Sequence, residues 1–248
     1  LVAGAYLEAA YDSGPWLASA GVRVDRSRAY AALRDERDIA TGALTLNQKT
    51  PDRSDTTPTG RVGLRYEISE ALYLRGAGYV GFRPPTLNEL HRPFRVGNDI
   101  TEANATLKPE TLQGVELGLG GEGPFRWTTG VFFNRLSDPI TNVTIGRGPA
   151  TFPAAGFIPA GGTLRQRQNT GEINAWGVEA ESSGDLGAAV SWRAALAYTD
   201  AEVRGGSRAR QLDGLRPAQT PKWAVTGGFT VRPAAALSLS TDLRYESA

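Results

Sequence analysis

Phe82-Arg83-Pro84-Pro85-Thr86-Leu87-Asn88-Glu89-Leu90 and, after a polar stretch, Asn104, Leu107, Lys108, Pro109 and Glu110 gather charge and turn chemistry into two short runs. The Arg83 guanidinium is a planar fork of N–H donors, so a carboxylate from Glu89 or Glu110 within reach would form a charge-assisted pair. Pro84-Pro85 forbids further ladder hydrogen bonding, and Lys108 and Glu110 flank Pro109 where the next apolar alternation starts. Both runs therefore belong at a strand end. The expected chemistry is a network of Arg83, Glu89, Lys108 and Glu110 that ties adjacent loops together at a rim. The plain alternative is strand termination with solvated charges, worth ~0 to 1 kcal/mol per exposed pair.

Covalent and metal chemistry have little to work with. The chain has no Cys, which excludes disulfides, thiolate metal sites and thiol nucleophiles, and His91 is its one His. A hydrolase needs a positioned base with a nucleophile or second acid at the same rim. Only His91 qualifies as that base, and no Ser lies in its loop. Asp35, Glu36 and Asp38 read as a solvated charge run without calcium-loop spacing, and Glu89 beside His91 reads as loop chemistry. No enzyme activity, metal site or cofactor is expected. With 27 Lys and Arg against 26 Asp and Glu, the net charge of +1 gives no case for a nucleic-acid partner.

The elements that must position the two runs are strands. In Trp16, Ala18, Ala20, Val22 and Val24 every second residue is apolar, while Ser19, Gly21, Arg23 and Asp25 between them are small or charged. The pattern returns at Val62, Leu64, Tyr66 and Ile68, at Val190, Trp192, Ala194, Leu196 and Tyr198, and at Leu237, Leu239, Leu243 and Tyr245. Alternation of this kind gives one apolar and one polar face. It predicts about ten strands, at 2–11, 16–28, 58–68, 71–82, 110–119, 125–145, 165–182, 189–203, 222–232 and 237–247. Short turns and long polar loops alternate between them. In an antiparallel meander this puts all the short turns at one end and all the long loops at the other, as in an outer-membrane barrel. Tyr11, Trp16, Trp127 and Trp192 lie near short turns, as an interfacial aromatic girdle requires. The strand pattern opens at Leu1 and is still running at Ala248, and the chain has no Met, so the reading is a single domain over 1–248 that forms an arc of a larger barrel. A soluble β-sandwich is the competing architecture; it predicts a monomer that needs no detergent.

Phe82-Arg83-Pro84-Pro85 with Glu89-Leu90 resembles the F-R-A-P-x-x-x-E-L segment of TonB-dependent outer-membrane receptors, and Asn104 to Glu110 resembles their N-P-x-L-K-P-E segment. A proline stands where that family usually has Ala in the first segment, and Ala105 where it usually has the first Pro in the second. Further likeness runs through Gly21-Val22-Arg23-Val24-Asp25, Glu116-Leu117-Gly118-Leu119, Phe132-Phe133-Asn134-Arg135 with Asp138 and Ile140, and Asn169 followed by Gly177-Val178-Glu179. The resemblance covers nearly the whole chain in the family's order. It implies an all-β, antiparallel transmembrane barrel of about 22 strands, of which this chain is the middle to late part, with an N-terminal plug and the last strands missing. It also implies the outer membrane of a Gram-negative bacterium, with lipopolysaccharide and lipid around the wall. The implied partners are the chain's own plug and, through it, the inner-membrane TonB complex. The implied activity is energised import of a scarce ligand, a ferric siderophore first, with cobalamin or another nutrient such as an oligosaccharide as the runner-up. A passive porin remains the alternative of another class. Arg147, Arg165, Arg167, Arg208 and Arg210 in the long loops suit an anionic ligand, and lipopolysaccharide phosphates equally.

Overall fold

The computed structural model describes residues 2–247, so the reading of Leu1 and Ala248 as strand residues falls outside the described range. Strands β1 (Val2–Ser13) and β2 (Trp16–Ala29) form a hairpin, and a small hairpin of β3 (Leu33–Arg37) and β4 (Leu44–Lys49) fills the connection to β5 (Arg53–Ser69). β6 (Leu72–Arg83) returns and leads into α1 (Leu87–His91), β7 (Phe94–Val96) and β8 (Asp99–Glu102) before β9 (Glu110–Gly121). After β10 (Phe125–Ser137) come β11 (Ile140–Arg147), β12 (Ala150–Phe152), β13 (Gly156–Ile158) and β14 (Thr163–Asn169). The chain then runs through β15 (Glu172–Leu186), β16 (Val190–Arg204), two 3-10 turns at Gly206–Arg208 and Arg210–Leu212, β17 (Trp223–Ala234) and β18 (Leu237–Glu246).

Ten of these strands form one antiparallel sheet in the order β1-β2-β5-β6-β9-β10-β15-β16-β17-β18, an arc with β1 and β18 at its two ends. Short turns such as Gly14-Pro15 and Glu70-Ala71 lie at one end of the arc, and the four long connections lie at the other. The small strands belong to those connections: β11, β14, β8 and β7 form a separate sheet in which β14 and β8 run parallel.

Two of the expected strands are shorter in the structure. The alternation over 125–145 and 165–182 continues through positions where the chain leaves the wall. Asp138 adopts φ of 56° and precedes Pro139, which cannot donate to a ladder, so β10 stops there and β11 pairs with β14 instead. The segment expected at 58–68 starts earlier, because Asp25 to Ala29 of β2 pair with Arg53 to Thr57. The charge run at Asp35, Glu36 and Asp38 lies on the β3–β4 hairpin with its carboxylates accessible to solvent, and Arg34 bonds Glu36 at 2.6 Å.

The register sorts the two faces of the wall. Directly opposed residues share a face, so Leu7, Val22, Gly60 and Val80 line one side while Glu8, Gly21, Arg61 and Tyr79 line the other. The apolar face is open: Leu7 is 72% exposed and Val22 61%. A contiguous apolar surface of this size is unfavourable in water and is what bilayer hydrocarbon covers. The opposite face carries a polar network, with Arg61 on Glu8 at 2.9 Å and the Tyr79 hydroxyl on Asn134 at 2.8 Å. Gly114 leaves room for the Tyr79 ring, since a Cβ there would stand 2.4 Å from it.

Aromatic rings mark both edges of the apolar band. Trp16 packs on Tyr66 and Phe125 on Trp192 near the short turns, while Tyr198 packs between Trp176 and Trp223 near the long loops. The sequence pattern predicts rings at the short-turn level alone. Trp192 pairs with Gly184, eight residues along β15 from Trp176. That is about 26 Å of strand, or roughly 20 Å of height at a barrel tilt near 40°, close to the ~25 Å band of such barrels. The one buried apolar cluster among the described residues lies in the long connections, where Ile100, Ile158 and Leu164 pack with Phe152 and Ala155. Among the described residues no helix is long and apolar enough to cross a membrane, a fact that does not bear on strands.

Candidate functional site

Arg83 is the last residue of β6 and Glu110 the first of β9, and the register sets them directly opposite each other. Phe82 pairs with Thr111 as the neighbouring rung, which holds the Arg83 backbone in place. Arg83 Nε donates to Glu110 Oε2 at 2.5 Å, while Nη1 and Nη2 donate to the two oxygens of Glu89 at 3.0 and 3.2 Å. One guanidinium therefore binds a carboxylate on the adjacent strand and another on the following helix.

Glu89 reaches Arg83 because α1 is fixed by a capping box. The Thr86 backbone N–H and hydroxyl donate to Glu89 Oε2 at 2.7 and 3.0 Å, and the Glu89 N–H donates back to Thr86 Oγ1 at 3.2 Å. Pro84 and Pro85 precede the cap and hold the chain extended up to it. Leu90 is buried on the inner side of this single turn. Burial disfavours ionisation of Glu89, but the Arg83 guanidinium and the Thr86 donors outweigh it and hold the carboxyl below its ordinary value.

Glu110 does a second task. Its Oε1 accepts the Ile140 backbone N–H at 2.7 Å, so the carboxylate that pairs with Arg83 also anchors the start of β11. The Asn104-to-Glu110 run ties down the other side. Asn104 Nδ2 donates to the Arg167 carbonyl at 2.9 Å, and its Oδ1 accepts from Thr106 N at 3.0 Å. Leu107 is fully buried and its carbonyl accepts from Arg53 of β5. Pro109, with no N–H to give, sits between the Leu107 anchor and the first rung of β9.

Lys108 joins differently from the expectation. Its side chain is exposed, and the residue is held through its backbone: Lys108 N donates to Asn169 Oδ1 at 2.8 Å and Asn169 Nδ2 donates to Lys108 O at 3.0 Å. Asn169 also donates to the Asp138 carbonyl at 2.8 Å, and Arg208 donates to the Asn169 carbonyl at 3.3 Å. Gly171 N reaches Gly205 O at 3.2 Å. The result is a belt that laces three of the long connections to one another and to the start of β5 at the ends of the wall strands.

The loop arginines divide into two groups. Arg165 pairs with Asp99 at 3.3 Å, Arg167 donates to the Asn88 and Arg92 carbonyls at 2.6 and 3.0 Å beside the Phe94 ring, and Arg208 is engaged as described. These three have protein partners. Arg147 and Arg210 are exposed. Three members of the belt escaped the reading of the residues. The T-x-x-E spacing of Thr86 and Glu89 is a visible capping-box signal. Arg53 and the Ile140 backbone N–H carry no local signal, since their roles depend on which strands become neighbours.

The family model described as TonB dependent receptor-like, beta-barrel, matches residues 2–248. Among solved structures, the chain is similar to the copper transporter OprC, at TM-score 0.70 and 19% identity, with 98% of this chain and 34% of that one covered. It is similar to the Serratia marcescens hemophore receptor HasR, at TM-score 0.71 and 15% identity, with 100% and 44% covered. It is also similar to the FrpB iron transporter from Neisseria meningitidis, at TM-score 0.65 and 16% identity, with 99% and 32% covered. The chain thus spans about a third to under half of the length of these structures. A comparison with curated protein sequences finds no match.

Proposed function

This chain belongs to the TonB-dependent receptor-like β-barrel family, and from that premise we propose that it supplies part of the wall and outer rim of an outer-membrane receptor that imports a scarce ligand, a ferric siderophore first. The observation that carries the reading is the belt centred on Arg83, Glu89, Glu110 and Asn169. It fixes the mouth of the barrel on the side where the long loops gather, which is what a receptor needs to hold a ligand-binding face still while a plug moves. Ligand binds on that outer face between loops and plug. Energy delivered through the inner-membrane TonB complex then rearranges the plug and opens the path.

The family and its structural neighbours are transporters and receptors. The copper transporter, the iron transporter and the hemophore receptor support a metal-centred cargo. Cobalamin or an oligosaccharide is the runner-up. The test is uptake of radiolabelled ferric siderophores under iron limitation by cells with and without the intact receptor. Deletion is expected to abolish uptake of at least one siderophore, and the intact gene to restore it. Unchanged iron uptake with lost growth on limiting cobalamin or oligosaccharide moves the assignment to that cargo. Steady ion conductance by the reconstituted protein overturns the receptor reading in favour of a porin.

A further inference from the structure

The apolar face of the wall ends in arginine on β2. Eight residues separate the two aromatic levels on β15, and the same interval on β2 runs from Trp16 to Val24. Val22 and Val24 lie on the apolar face, and the next alternate residues, Arg26 and Arg28, continue it. The register agrees: Arg26 opposes Ala3 on one side and Thr56 on the other, and Arg28 opposes Ser54. Arg26, Arg28, Ser54 and Thr56 are exposed, whereas Arg53, Asp55 and Thr57, of the opposite parity on β5, are half-buried. Arg26 therefore stands on the outer side of the wall, two residues or about 5 Å of height beyond the apolar band.

The charge of this patch is uncompensated. Arg26 Nε donates to the neutral Ser54 Oγ at 3.3 Å, and among the described residues Arg26 has no ion-pair partner. Arg28 pairs with Asp52 at 3.4 Å, both side chains more than half exposed, and its guanidinium lies 5.7 Å from the centre of the Tyr30 ring. Two guanidiniums thus stand against one carboxylate. The other outward arginines beyond the band are balanced: Arg135 and Arg204 share Glu172, and Glu202 lies on the same face through its rung with Asn174. Only the β2–β5 patch sets excess guanidinium and free hydroxyls directly above an apolar floor of Val22 and Val24. That order of chemistry, apolar below and anion-binding above, matches an amphiphile whose phosphate lies at the headgroup level. The patch faces away from the lumen, so imported cargo does not meet it.

We propose that Arg26 and Arg28, with the Ser54 and Thr56 hydroxyls, bind the phosphorylated sugar headgroup of lipopolysaccharide. The proposal rests on the receptor reading, which puts the long loops and this level of the wall in the outer leaflet. The hydroxyls suit a sugar, and two guanidiniums suit a headgroup that carries more than one phosphate.

The test uses the intact receptor refolded from inclusion bodies in detergent, with lipid binding followed by native mass spectrometry. The probes are hexa-acyl lipid A with two phosphates, the same lipid dephosphorylated, and phosphatidylglycerol. The diphosphorylated lipid A is expected to bind about tenfold tighter than either of the others, and Arg26→Gln to remove about that factor, the effect of one charge-assisted contact. Asp52→Asn, which releases Arg28, should tighten binding about threefold, and Arg135→Gln should change it less than twofold. If Arg26→Gln does not fold, as judged by heat-dependent gel mobility, the Asp52→Asn result decides. Equal binding of the two forms of lipid A, equally tight phosphatidylglycerol, an Arg135→Gln loss as large as that of Arg26→Gln, or no response to Arg26→Gln and Asp52→Asn overturns the proposal. Any of these in a receptor that still imports its cargo overturns this site alone. The expected selectivity in a protein with no TonB-dependent uptake overturns the receptor reading and leaves the site standing.

Discussion

Replacing Glu110 by Ala cuts two bonds at once and should release the connection between β10 and β15. Glu110 is 8% exposed, and it holds Arg83 Nε at 2.5 Å and Ile140 N at 2.7 Å. The Arg83 side chain is 44% exposed, so solvent screens the ion pair and its share is about 1 kcal/mol. The stranded Ile140 N–H adds a desolvation cost of about 2 kcal/mol. The sum, about 3 kcal/mol, raises the population of locally opened loop roughly 100-fold. Trypsin reports this population when opening is fast relative to cleavage. Arg147, at the far end of β11 from Ile140, is the cleavage site to follow in the intact receptor. Glu110→Gln keeps an oxygen for Ile140 and loses only the charge, so its rate should rise about fivefold. Cleavage after Lys49, in the β3–β4 hairpin, should not change in either variant. If both variants are cut at Arg147 within twofold of the parent, Glu110 does not anchor the loop and the rim network has no structural weight.

The remaining two expectations concern acid and lipid. The folded-state pKa of Glu89 is depressed, so its contribution to α1 docking is fully present above the ordinary carboxylate value of 4.5 and is lost as pH falls through the depressed value. The exchange protection factor over Leu87–His91 should therefore hold down to that ordinary value and fall with further acid, and Glu89→Gln should erase the step. On the wall, Leu196→Arg places charge on the apolar face and should cost about 2–4 kcal/mol in folding into lipid vesicles, whereas Ala195→Arg, one residue away on the polar face, should cost well under half of that. Equal losses would mean that lipid does not distinguish the two faces, and a larger loss at Ala195 that they are assigned the wrong way round.

The wall was legible because its signal has period two and is repeated ten times, so even a weak alternation at each strand adds up. The register carries Arg83 and Glu110 into direct opposition, which fits the expectation that they meet at a strand end. The loops were less legible. The alternation read over 125–145 and 165–182 does not break at Ser137 or Glu172; only Asp138-Pro139 and Gly171 mark where the partner changes. The upper aromatic level was missed because Trp176 lies beside a long loop and Trp223 opens a strand after one, and only the register shows Tyr198 beside both.

Many of the belt's anchors on the loops are backbone atoms: Leu107 O, Lys108 N and O, Asp138 O, Ile140 N, Asn169 O and Gly205 O. A bond to a main-chain atom does not depend on which side chain that residue carries. The loops are therefore mounted on the barrel by a fitting indifferent to most of their own sequence. The portions between the mounts can be rewritten, lengthened or exchanged with those of another receptor, provided the few side chains that grip them, Arg53, Glu110, Asn169 and Arg208, stay in place. Ile140 and Asn169 are the natural junctions for such grafts. A scaffold built this way can change its loops without relearning how to fold.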